Sequence, residues 1–143
     1  MTQTLRLPIF LESELRRREI GRHTVDFMPF FNGERATGYH GETAAAILGL
    51  TVDTTPVDVF AAGMEAVVFR LSEIIKGVQK FASPKAKLIG GGPPFRNSAF
   101  VRRCLLAFCS DIDVEIASHP EATSLGVARL CAMYVRGDRT LKV

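Results

Sequence analysis

A helix start signal at Thr55, and the long apolar repeat behind it, constrain this chain more than any other stretch. Thr55 carries the hydroxyl of a good N-cap, Pro56 suits the first helical position, and Asp58 has the spacing of a capping box. From there Phe60, Met64, Val67, Val68, Leu71, Ile74, Ile75 and Val78 recur at steps of three and four, while Asp58, Arg70, Glu73, Lys76 and Lys80 fall mostly on the other side. The pattern predicts an amphipathic helix of about five to seven turns. Its apolar stripe is expected to be core rather than a cofactor-binding face, so the rest of the chain has to cover it. A length of 143 residues suffices for one domain with a real core.

Ser83-Pro84-Lys85 breaks the helix. Residues 86–89 then read as a short strand and Gly90-Gly91-Gly92 as a tight turn. Asn97 reads as the N-cap of a second amphipathic helix over 98–108, with Phe100, Cys104, Leu105 and Phe108 on its apolar face. Adjacent glycines allow positive φ and leave no Cβ, so another backbone or a ligand can come close. A strand that enters the positive end of a helix through such a turn is a candidate nucleotide or phosphate site. The plainer alternative is a tight turn of a small α/β domain, because the run is neither G-x-x-x-x-G-K-[ST] nor G-x-G-x-x-G. Residues 113–117 give another brief strand, and Pro120 opens a third helix with Leu125, Ala128, Ala132 and Met133 inward. Gly126 inside that helix costs about 1 kcal/mol against alanine and marks a close backbone approach. Alternating helices and strands after residue 55 predict an α/β fold with a small sheet. If the two strands are parallel neighbours, a ligand belongs beyond their carboxyl ends, where the glycines lie.

Upstream, residues 10–20 suggest a short helix stopped by Gly21, and residues 24–31 a strand bent at Pro29. Residues 32–41 form a polar, glycine-punctuated loop carrying the adjacent pair Glu34 and Arg35, and residues 44–48 fit a helical turn closed by Gly49. The net charge of +3 is not gathered into one run: Arg16-Arg17-Arg18 is flanked by Glu12, Glu14 and Glu19, and Arg102-Arg103 is local. Neither makes a nucleic-acid patch. Cys104, Cys109 and Cys131 lie in apolar helical patterns without a CxxC, as buried reduced thiols do. His23, His40 and His119 are scattered, so no metal site is expected. No apolar run reaches the ~18 residues of a membrane span, and no signal peptide is visible. The expectation is a cytoplasmic protein with no membrane or nucleic-acid partner. Nothing at usable spacing forms a Ser/His/Asp, Cys/His or metal constellation, so no catalytic residue is assigned.

Three stretches, in this order, resemble the carboxyl-terminal domain of the FGGY carbohydrate kinases, the group holding gluconokinase, xylulokinase, ribulokinase and glycerol kinase. The first is Met28-Pro29-Phe30-Phe31-Asn32-Gly33-Glu34-Arg35 with Gly49-Leu50-Thr51. The second is Ala62-Gly63-Met64-Glu65-Ala66-Val67-Val68-Phe69 on the long helix. The third is the glycine turn through Asn97, followed by Glu121-Ala122-Thr123-Ser124-Leu125-Gly126-Val127-Ala128. The resemblance covers residues 25–135, leaving 1–24 as a helical lead-in and 136–143 as a basic tail. It implies an incomplete actin-like (ribonuclease-H-like) ATPase domain, a small sheet packed with helices. It also implies that Gly90, Gly91 and Gly92 form the turn against which the adenosine of ATP packs. Asn97 would lie near adenine, and the helix with Gly126 would pack close behind the turn. Glu34 and Arg35 would form an ion pair that fixes the loop near the cleft, the plainer reading being a surface salt bridge.

The sequence departs from the family pattern at several places. Ala36 stands where proline usually follows Gly-Glu-Arg, Ala66 replaces a helix glycine, and Pro93-Pro94-Phe95 lengthens the turn. The family's sugar-binding half and catalytic aspartate belong to an amino-terminal domain that these residues do not include. The expected function is therefore the nucleotide-binding part of an ATP-dependent carbohydrate kinase, using ATP with Mg²⁺ in the complete enzyme and not competent by itself. The alternative is a non-catalytic module that associates with itself or a partner through exposed apolar surface.

Overall fold

The computed structural model describes residues 6–83, 85–117, 119 and 121–137. In chain order these form α1 (Arg6–Arg17), β1 (Asp26–Met28), β2 (Ala46–Leu48), α2 (Pro56–Gln79), β3 (Leu88–Gly90), α3 (Pro93–Asn97), α4 (Ala99–Phe108), β4 (Val114–Ile116) and α5 (Ala122–Arg136). Pro84, Pro120 and most of the basic tail, on which expectations also fell, lie outside the described residues.

The 24 residues of α2 make a rod about 36 Å long. It begins where its sequence says it should. The Thr55 hydroxyl accepts the Asp58 N–H, and the Asp58 carboxylate accepts the Thr55 N–H at 2.6 Å, a reciprocal capping box. Asp58 also pairs with the Arg18 guanidinium, which ties the end of α1 to the start of α2.

The buried line of α2 is narrower than its apolar pattern. Ala61, Ala62, Glu65, Val68 and Ser72 are buried, with Val57, Met64, Leu71 and Ile75 half-covered beside them. Phe60, Val67 and Val78, expected in the core, are 43%, 55% and 60% exposed. The physical reason is that α4 packs along the small residues. Alanine and serine let the helix backbones approach, and the bulky side chains on the shoulders stay outside that seam. The core built there comprises Leu15, Ala61, Val68, Phe100, Val101, Cys104, Leu105 and Cys109.

Glu65 lies in this seam without being orphaned. Both of its carboxylate oxygens accept the Gly21 N–H at 3.1 Å, and Oε2 lies 3.2 Å from His23 Nε2. The buried charge thereby anchors the connection from α1 to β1, as a buried carboxylate must if it is not to destabilise the fold.

Two small sheets flank the helices. β3 and β4 are parallel, with Leu88 opposite Val114 and Gly90 opposite Ile116, which meets the condition that the sequence left open. β1 and β2 are antiparallel, with Phe27 opposite Ile47. This corrects the helical turn expected at 44–48. Three residues cannot repay helix nucleation, and pairing with β1 decides their conformation. Gly49, with φ +74, closes this strand instead, where a Cβ would lie 2.0 Å from the Thr24 carbonyl oxygen.

Two further expectations need correction. In α5 no described residue is buried: Leu125 and Met133 are half-covered, while Ala128 and Ala132 are exposed. Cys131, on the same helix, is an exposed thiol rather than a buried one. Cys104 and Cys109 are buried as expected. Desolvation, helped by the nearby Glu65 charge, pushes the Cys104 thiol up to about 12. Burial and then Asp111 raise Cys109.

Two outcomes follow from these local structures. Thr55→Ala removes one side of the capping box and lowers the unfolding free energy by about 1 kcal/mol, read from urea melts. A thiol-specific reagent at pH 8 modifies Cys131 quickly, while Cys104 and Cys109 react only on unfolding, read by peptide mass mapping.

Candidate functional site: the glycine turn between β3 and α3

β3 carries the chain out of the parallel pair at Gly90, whose carbonyl accepts the Ala117 N–H at 2.8 Å. The three glycines that follow one another here have different physical reasons. A Cβ on Gly90 would lie 3.2 Å from Ile116 Cδ1, 3.7 Å from the Phe95 ring and 3.8 Å from Leu105. Gly90 is buried, so its missing side chain serves packing. Gly92 has φ +93, a conformation that favours glycine, and it opens α3. Gly91 has neither reason. It is exposed, and the nearest neighbours a Cβ would meet are the methyl carbons of Ala117 and Ala122 at 3.9 and 4.0 Å. The main chain at Gly91 is bare without the fold requiring it.

The flanks of the turn are held by residues that the motif alone does not reveal. Pro93 and Pro94 start the five-residue α3, and Asn97 ends it as an exposed residue. The N-cap of α4 is therefore Ser98 and not Asn97, with the Ser98 hydroxyl accepting the Val101 N–H. Both residue types cap well, and the inserted turn of α3 displaces the start of α4 by one residue. Arg102 donates to the Phe95 and Arg96 carbonyl oxygens at 2.9 and 2.8 Å, closing the end of α3. Its neighbour Arg103 donates to the Arg16 carbonyl at 2.8 Å, closing α1. The basic pair is thus used on helix carboxyl ends.

The positive end of α4 is also occupied from within the chain. The Ala99 N–H donates to Glu12 Oε1 at 2.8 Å, bringing a carboxylate from α1 against the helix start. The electrostatic attraction expected there for a phosphate is met by this chain's own acid. What the turn offers a ligand is exposed backbone, not an unoccupied anion site.

The expectation that Gly126 marks a helix packed behind the turn is corrected, since a Cβ there meets nothing within 4 Å. The close approach of α5 comes instead at its first residue, Ala122.

Glu34 and Arg35 do not form the expected pair. Glu34 is buried and pairs with Arg70 of α2, whose guanidinium also donates to the Ala36 carbonyl at 2.9 Å and lies 5.2 Å over the Phe30 ring. Arg35 is exposed. The pairing follows from burial: only a partner reaching in from the helix can meet an inward carboxylate. Burial acts to raise the Glu34 pKa, but N–H donation from Gly38 and Thr37, with the charge of Arg70, outweighs it and holds the carboxyl below its ordinary value. Arg70 was legible only as a polar-face residue, because it acts 36 residues from Glu34. Among the described residues no group of three or more His, Cys, Asp or Glu could hold a metal ion. Among the described residues no helix is long and apolar enough to cross a membrane.

Comparison with known proteins agrees with this layout. The family model for the carboxyl-terminal domain of the FGGY family of carbohydrate kinases matches residues 13–135. A glycerol kinase of Enterococcus casseliflavus is 31% identical over 125 residues, covering 85% of this chain and 24% of that protein. A ribulokinase of Bacillus licheniformis is 24% identical over 110 residues, 77% of this chain and 20% of that protein. Among solved structures, a xylulose kinase from Rhodospirillum rubrum superposes with a TM-score of 0.71 at 14% identity, over 92% of this chain and 26% of its own. Plasmodium falciparum glycerol kinase, solved with ADP, gives 0.66 at 23% identity, over 96% of this chain and 28% of its own. These neighbours give the fold, part of an actin-like ATPase domain. The chain spans about a quarter of the length of the curated relatives it matches. By its match over most of its length, the chain belongs to the FGGY family of carbohydrate kinases, in the region of their carboxyl-terminal domain.

Proposed function

We propose that this chain supplies the nucleotide-binding wall of an ATP-dependent carbohydrate kinase, which transfers a phosphoryl group to a sugar or sugar-acid hydroxyl. The observation that carries the reading is Gly91: its exposed main chain is explained by neither φ nor packing, and a flat base needs such a surface. Gly90, Gly91 and Gly92 form the wall in this reading, and Asn97, exposed at the end of α3, lies within the same turn as a polar contact for the base. The ADP in the Plasmodium falciparum relative supports nucleotide as the ligand class. Residues 25–135 are the nucleotide-binding unit, and α1 of the lead-in contributes Leu15 to its core.

ATP, with Mg²⁺, brings the phosphoryl group and the divalent charge. This chain's residues bind and orient the nucleoside, and none of them is assigned a catalytic step. The acceptor hydroxyl, its base and the metal contacts belong to the rest of the complete enzyme, because phosphoryl transfer needs donor, metal and acceptor positioned together. A cytoplasmic setting goes with this chemistry. Glu34 has a supporting role: through Arg70 it fixes the 33–41 loop on α2.

The alternative of an associating module is favoured by one observation, the exposed apolar side chains of α5, including Leu130, Tyr134 and Val135. Light scattering that shows a dimer indifferent to nucleotide would select it.

Calorimetry with ATP and ADP tests the main reading. The wild-type chain binds nucleotide, and Gly91→Asp keeps the fold while weakening binding by roughly tenfold or more, ~1.4 kcal/mol. Equal binding by the variant removes the turn from the site. The Glu34 carboxyl gives a separate outcome. Its pKa is depressed in the folded chain, so the stabilisation it contributes is complete above the ordinary carboxylate range. That stabilisation is lost as pH falls through the lowered value. In Arg70→Ala the NMR titration of Glu34 moves up toward the ordinary value, and the Thr37 and Gly38 amides exchange faster.

A further inference from the structure

Beside β1 lies a cavity of about 400 Å³ whose walls say what it can take. Residues 25–30 line it in succession. Successive side chains of a strand point to opposite faces, so a space that meets both parities meets the strand edge-on. β2 pairs with the other edge of β1 and contributes nothing to the lining. Half of the N–H and C=O groups of an antiparallel strand face away from its partner. Among the described residues, no backbone group of 25–29 hydrogen-bonds outside the β1–β2 pair. On its floor, opposite β1, the lining is mixed: small and aromatic apolar side chains lie beside His23, Glu65 and Arg70, which already engage one another or Gly21, Glu34 and Ala36. Ala62 and Ala66 lie one turn apart on α2, with Phe69 and Phe108 beyond them in edge-to-face contact at 5.7 Å.

We propose that the unpaired edge of β1, with the cavity beside it, accepts one extended segment from outside these residues as a third strand of the β1–β2 sheet. The segment alternates large apolar residues, which fill the space left by the two alanines, with polar residues that face away. Two arguments select this occupant. A two-stranded sheet is marginal alone and is completed by another strand along a free edge. Main-chain hydrogen bonds with alternate side-chain pockets are the recognition mode of strand addition. The matched relatives carry the larger part of their polypeptide outside the matched region, so family members have further chain to supply such a segment. The inference rests on the edge of β1 alone and holds whether or not the glycine turn binds nucleotide.

The test adds a lysine-flanked peptide of alternating valine and threonine to the isotope-labelled full chain and follows amide exchange by NMR. The control peptide carries proline at alternate positions and cannot complete a ladder. The expected result is exchange slowed by about tenfold at outward amides within 25–28, with the alternating peptide only. Ala66→Trp fills the floor without altering the β1 backbone and abolishes the protection. Phe69→Glu, at a half-exposed position, does the same by placing a charge there and serves if the tryptophan variant is unfolded by circular dichroism. No protection in the folded wild type overturns the proposal, as does equal protection by the proline peptide or persistence in both variants. Protection that grows with protein concentration in the absence of peptide assigns the edge to a second copy of the chain and also overturns it.

Discussion

The close packing of α4 against the small-residue line of α2 is the contact on which the other elements depend. Ala61 and Ser72 leave room for the second helix, and Phe100, Cys104 and Leu105 fill the seam from the α4 side. A larger residue at Ala61 would force the helices apart, because a dense interior relaxes only partly. α1 joins this seam through Leu15 and the Arg18–Asp58 pair, and the loop to β1 joins it through Glu65. The glycine turn inherits its position from the same packing. Leu105 touches the site of Gly90, and Ser98 and Arg102 of the same stretch hold the carboxyl end of α3.

What could be read from the chain beforehand divides by distance along it. The capping box at Thr55 is made by residues three apart, so its chemistry is local and its effect appears in place. The two strands and the helix between them were legible, while their parallel pairing stood only as a condition that the structure now meets. β2 was not legible, since its three residues carry no strand pattern until β1 lies beside them. Periodicity located the apolar side of α2 but not the width of its cover, which the approach of α4 decides. That is why Phe60 and Val67 are out in solvent while Ala61 is sealed.

The candidate site shows the same division. A run of three glycines marked the turn, but the run could not say which glycine answers to which cause. The structure separates them: packing for Gly90, backbone sign for Gly92, and neither for Gly91. The partner of Glu34 lay beyond any local rule, because a charge on the solvent side of a helix pattern carries no label for the loop it meets. The proposed ligand class rests on family likeness, since neither glycine spacing nor burial contains it. It also made visible that the chain matches a quarter of its relatives, so chemistry requiring both sides of a cleft cannot be attributed to these residues alone.

Glu12 carries a consequence for discrimination among ligands. With its carboxylate already seated on the Ala99 amide, the mouth of α4 presents no spare positive pole to an incoming polyanion. On the proposed nucleotide reading, the wall grips the nucleoside end and is indifferent to how many phosphates trail from it. On that same reading, counting phosphates, and so telling spent from fresh nucleotide, falls to the rest of the complete enzyme.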